Sequence, residues 1–218
     1  MDQNVILVET VPLEFDLESL GCRLRIRPGQ TKFMDRLSRL AEEAARVARP
    51  KAVARLCGLT ILDEEKVQVG EVTFSSPLLR QKMDGLGRAF PYLASEGTEL
   101  ADWSLSLSSS LEQVFASALR EVAVQQAENL LERTLLERYG IAQVSAMNPG
   151  SLKVWSLEEQ VPLFELLAPL PEKLGVTLLP SLMMRPEYSV SGVFFQTDSK
   201  FYNCQLCPKK ECPNRRTP

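Results

Sequence analysis

The chain has 218 residues, 44% of them apolar and 24% charged, with 25 basic against 28 acidic side chains. An ordinary apolar fraction and a net charge of only −3 exclude a largely disordered chain. A membrane span needs about 20 consecutive apolar residues, and the greasiest stretch, residues 161–170, is interrupted by Pro and Glu. The first residues lack the basic, apolar, small-residue order of a signal peptide, and Lys and Arg are scattered rather than clustered. The expectation is a soluble cytoplasmic protein whose partners are neither nucleic acid nor membrane. Histidine is absent from the chain. That removes imidazole bases, Ser-His and Cys-His nucleophiles, and His-ligated zinc or haem.

Taken in chain order, residues 5–13 read as an extended lead, and Asp16 as the cap of a short helical turn. Thr31 opens a helix with Phe33, Met34, Leu37, Leu40, Ala41, Ala44, Ala45 and Ala48 on one face, and Pro50 stops it. Residues 52–62 and 66–74 read as strands turned at Asp63-Glu64-Glu65, with a bulge at Gly70. Ser76-Pro77 starts a helix ending near Gly85, and residues 89–94 form a strand. A helix from Thr98 merges through the Ser108–Ser110 run into the longest periodic stretch, residues 111–139, ended by Gly140. Residues 145–153 read as irregular, and Ser156 with Glu159 as a capping box before residues 161–167. Residues 176–184 and 188–195 close the fold as β-rich pieces. The order of elements predicts an α+β class: a twisted antiparallel sheet with helices packed against it. One α+β domain is expected over residues 1–200, followed by a cysteine-rich metal-binding tail, 201–218.

That tail holds the candidate chemistry. Cys204, Cys207 and Cys212 have C-x2-C-x4-C spacing, and prolines follow two of them. Three thiols within nine residues can converge on one metal. Proline after a cysteine recurs beside iron–sulfur ligands because it turns the chain away and removes an amide. Lys209, Lys210, Arg215 and Arg216 would favour thiolates. The reading is an iron–sulfur cluster, with structural zinc as the alternative. Cys22 or Cys57 could supply a fourth ligand, but their leucine neighbours suit plain core residues. The paired carboxylates Glu42/Glu43, Glu64/Glu65 and Glu158/Glu159 read as solvated faces or caps, not acid–base dyads. Trp103 and Phe115 sit at core spacing, whereas Trp155 suits packing or ligand contact equally.

Several stretches carry a family resemblance. Leu174-Gly175-Val176-Thr177-Leu178, Met184-Arg185-Pro186-Glu187-Tyr188-Ser189-Val190-Ser191-Gly192 and Asp198-Ser199-Lys200-Phe201-Tyr202 resemble the C-terminal part of the activation (reactivation) domain of cobalamin-dependent methionine synthase. Asn148-Pro149-Gly150-Ser151, Trp155 and the following helix are similar to that family's Pro-Gly loop, and residues 93–103 to its free-standing relatives.

The resemblance implies a C-shaped α+β fold and docking on a corrinoid-carrying protein, so that cobalamin enters only through that partner. It also implies a part in methyl transfer, the reductive activation of a corrinoid methyltransferase. Asn148, Pro149, Gly150, Ser151, Trp155, Phe201 and Tyr202 are its implied ligand-binding residues. The family loop, Arg-x-x-Pro-Gly-Tyr, binds S-adenosylmethionine. Here Ala146 stands at the Arg position and Ser151 at the Tyr position, which leaves S-adenosylmethionine binding open.

Overall fold

The computed structural model describes residues 3–201 and 203–206, with the backbone but not the side chain at Cys204. Its elements are β1 (Val5–Val8), α1 (Leu17–Arg23), α2 (Thr31–Val47), β2 (Lys51–Arg55), β3 (Cys57–Ile61), β4 (Lys66–Val69), β5 (Val72–Ser75), α3 (Pro77–Lys82), β6 (Arg88–Ser95), α4 (Thr98–Ser106), α5 (Ser110–Tyr139), β7 (Val144–Met147), α6 (Gln160–Leu167), α7 (Leu170–Lys173), β8 (Thr177–Leu178), β9 (Met184–Arg185) and β10 (Ser189–Gln196). Short 3₁₀ turns occur at Leu157–Glu159 and Asn203–Gln205.

Eight strands form one antiparallel sheet. β6 is its centre: β2 and then β3 pair along one edge, and β10 pairs along the other. β1 extends the sheet beyond β2, β4 and β5 extend it beyond β3, and β7 pairs with the far edge of β10. β8 and β9 make a separate two-stranded hairpin.

Alternation sorts the side chains of β6 onto two buried faces. Phe90, Tyr92 and Ala94 meet Phe194 of β10 and Ala127, Leu131 and Leu135 of α5. Ala89 and Leu93 face the opposite way, toward Leu79 and Met83 near α3 and Leu163, Leu166 and Leu167 of α6. A third core lies between helices, where Leu37, Leu40 and Ala44 of α2 meet Leu100 of α4 and Phe115 and Leu119 of α5. The α+β expectation therefore holds. Phe201, the first residue of the expected tail, is buried in the α6-side core.

Local chemistry accounts for most element ends. Asp16 accepts from the amides of Glu18 and Ser19, and Ser76 from that of Leu79 with Pro77 at the first helical position. Gly140 ends α5 in the left-handed region, φ 61°. Several expectations need correction. The expected strand over residues 52–62 breaks at Leu56 into β2 and β3. Gly70 is no bulge: it stands in the hairpin turn between paired Val69 and Val72, with φ +58°. α4 and α5 do not merge, because Leu107 and Ser109 are extended. β7 occupies part of the segment read as irregular, held by pairing to β10.

The capping box does not form either. The amide of Ser75 donates to Glu159 Oε1 across 3.1 Å, while the Ser156 hydroxyl turns to Glu158. On α2, Phe33 and Ala45 are exposed rather than part of the buried face. Cys22, read as a core residue, is exposed, whereas Cys57 is buried.

Candidate functional site

The loop after β7 carries the Asn148-Pro149-Gly150-Ser151 motif, and Asn148 ties it to three other elements. Its Nδ2 donates to Tyr92 Oη of β6 at 2.8 Å and to the Ser191 carbonyl of β10 at 2.9 Å. Its Oδ1 accepts from Asn203 Nδ2 at 2.9 Å. Tyr92 Oη in turn donates to Glu128 Oε1 of α5 at 2.7 Å. Tyr92 is fully buried, and its ring stacks on Phe194 with centroids 3.9 Å apart. Glu128 is buried as well. A carboxylate, a phenol and two amides thus run from the interior to the start of the cysteine segment.

Gly192 makes the arrangement possible. A Cβ there would lie 2.4 Å from the Met147 carbonyl oxygen, 2.6 Å from Asn148 Nδ2 and 2.9 Å from the Tyr92 ring. Only a residue without a side chain lets β7, the loop and Tyr92 approach so closely. On the other face of β10, Ser191 Oγ donates to Gln160 Oε1 at 3.0 Å, and Gln160 Nε2 donates to the Leu182 carbonyl at 3.0 Å. The first residue of α6 therefore joins β10 to the β8–β9 connection.

The rest of the loop is a turn. Gly150 adopts φ +77°, and its amide donates to the Trp155 carbonyl at 2.9 Å. The Ser151 amide donates to the Asn148 carbonyl at 3.2 Å. Pro149 is buried, while Gly150 and Ser151 face solvent. Trp155 is fully buried, edge-on to Phe74 at 5.7 Å, and its Nε1 has no acceptor among the described residues. Its contacts are those of a core residue. Phe201 is also buried: its amide donates to Ser145 Oγ at 2.7 Å, and the Lys82 ammonium lies 4.6 Å from its ring centroid.

Of the sequence-predicted residues, the structure therefore groups Asn148, Pro149, Gly150 and Ser151 in one turn, with Trp155 and Phe201 on its core side. Tyr202, Cys207 and Cys212 lie outside the described residues, and Cys204 falls in the 3₁₀ turn that Asn203 begins. Among the described residues, no three Cys, Asp or Glu side chains gather as a metal site. No described helix is long and apolar enough to cross a membrane.

Sequence reasoning missed Tyr92, Glu128, Gln160 and Asn203. One signal was present. In the second half of α5 the buried stripe runs through Ala127, Glu128, Leu131 and Leu135. A carboxylate on a buried stripe marks a built polar contact. What the described residues of the site offer is shaped hydrogen bonding.

Neither any family model nor any curated protein matches the chain. Among solved structures, a crystal structure of the MetH reactivation domain bound to AdoHcy matches with a TM-score of 0.62 and 17% sequence identity. The match covers 91% of this chain and 80% of that one. The chain has the fold of that domain, an open antiparallel sheet with packed helices.

Proposed function

We propose that this chain is an accessory of a corrinoid (vitamin B12)-dependent methyltransferase system. It docks on a corrinoid-carrying protein and supports that protein's reductive reactivation. The observation that carries the reading is the fold match to the MetH reactivation domain over 91% of the chain. The Ser189–Gly192 segment adds support, because Gly192 is the close-approach point that seats the Asn148 loop.

The electron-delivering element in this reading is an iron–sulfur cluster on Cys204, Cys207 and Cys212. One-electron transfer is the chemistry such a cluster supplies. The Asn203–Asn148 hydrogen bond joins the turn that begins the cysteine segment to the loop, which supports a shared working face. Asn148 would orient that face, with Tyr92 and Glu128 fixing Asn148. Ala146, at the position of the family's arginine, is half-buried and paired with Phe194, so its methyl group offers no guanidinium to an S-adenosylmethionine carboxylate.

The test begins with anaerobic purification, iron and zinc analysis and a visible spectrum. Iron with a bleachable band at about 400 nm supports electron delivery, and loss of that iron in a Cys207→Ser variant assigns it to the tail. Colourless zinc removes the redox role and leaves a binding module. Docking is tested separately by gel filtration with a cob(II)alamin-loaded corrinoid protein. Failure to co-elute at concentrations of about 50 μM, well above typical transient affinities, would overturn the accessory role.

A further inference from the structure

A groove of 390 Å³ lies between α4, Arg120 of α5 and the β8–β9 hairpin. That volume suits a small organic molecule. At its floor Arg120, with a side chain only 10% exposed, forms a two-bond pair with fully buried Glu96: Nε to Oε2 at 2.6 Å and Nη2 to Oε1 at 2.7 Å. Burial pushes the Glu96 carboxyl up from its ordinary range; Arg120 and the Tyr188 amide oppose this. The Tyr188 ring lies 4.5 Å from the guanidinium carbon.

One edge of Arg120 remains. Its Nη1 faces Glu187, whose carboxylate stands 3.9 Å away and is 69% exposed. That separation is too long for a hydrogen bond. A carboxylate is therefore already drawn to this edge without closing on it. Arg185, exposed on β9, lines the same groove and brings a second guanidinium, while Asp102 of α4, also exposed, brings a second carboxylate to the rim. Ala101, Leu105 and Pro186 supply an apolar wall, and Leu105 leaves 79% of its surface in water with no packing role to explain it.

We propose that this groove binds a small carboxylate with an apolar body. The carboxylate displaces Glu187 and closes on Arg120 Nη1, Arg185 approaches from the rim, and the apolar part covers Leu105. An arginine already held by Glu96 and Tyr188 loses little freedom on closing such a contact, which favours binding. The site is separate from the Asn148 loop and does not depend on the corrinoid reading.

The test is an amide NMR titration of the full chain with hexanoate, with 1-hexanol and hexylammonium as controls. Hexanoate is expected to shift the Ala101, Leu105, Thr177 and Arg185 amides saturably, and the two controls at least about tenfold more weakly, as one charge-assisted hydrogen bond requires. Arg185→Ala, at an exposed position, should weaken hexanoate about tenfold while the spectrum stays folded. Glu187→Gln should strengthen binding by removing the competing carboxylate. An equal response to hexylammonium, no saturation with hexanoate, or unchanged affinity in both variants would overturn the proposal.

Discussion

Two polar groups are built on the same strand pair and the same long helix, yet their physics differs. Around the Gly192–Tyr92 pairing, single hydrogen bonds link the Glu128 carboxylate, a phenol and two amides. Around the Ser189–Ser95 pairing, Glu96 and Arg120 form a full ion pair. Arg120 and Glu128 lie roughly two turns apart on α5, so one helix serves both. A network of single hydrogen bonds can lose one member and let water or a rotated amide take its place. A buried ion pair has no such reserve, because removing one charge strands the other in a poorly polarisable interior.

That contrast orders the expected effects. Arg120→Ala should be the most damaging, costing about 3–5 kcal/mol in urea unfolding because Glu96 loses its counter-charge. A loss below about 1 kcal/mol would show that the pair is not held as an ion pair. Gly192→Ala comes next, at about 1–3 kcal/mol, since its new methyl would collide with the Met147 carbonyl, Asn148 and Tyr92. It should also move the NMR signals of the whole Asn148 loop. An unshifted loop would mean that close approach at Gly192 does not seat it. Tyr92→Phe should be mildest, at about 1 kcal/mol, because it removes one hydroxyl and keeps the ring on Phe194. Its signature is a displaced Asn148 side-chain amide resonance. A cost matching that of Arg120→Ala would erase the distinction between the two groups.

Only the loop of the candidate site was legible, where local chemistry controls it. Asn148-Pro149-Gly150-Ser151 lies in the segment read as irregular, and it is a loop in which Gly150 takes the left-handed backbone. What stayed hidden depends on distant residues. Ser145–Met147 looks irregular in sequence because its four-residue strand exists through pairing with β10. Glu159 looks like half of a capping box, but the unpaired amide of Ser75, on a neighbouring strand, captures it. Cys22 looks buried among leucines, yet α1 turns it outward, while Leu20 and Gly21 point in.

The sequence by itself determined the helix starts at Asp16 and Ser76, the stop at Gly140, the exclusion of imidazole chemistry and the α+β class. Each follows from residues within a few positions of one another or from composition. Only the tertiary structure decided that Glu128 reaches Tyr92, that Asn203 reaches Asn148 and that Glu96 is buried with Arg120. Those partners are 36, 55 and 24 positions apart in the chain. No propensity or spacing rule links residues so far apart. They meet because the antiparallel pairing of β6 with β10 and the packing of α5 across both leave buried polar groups that each other's atoms must satisfy.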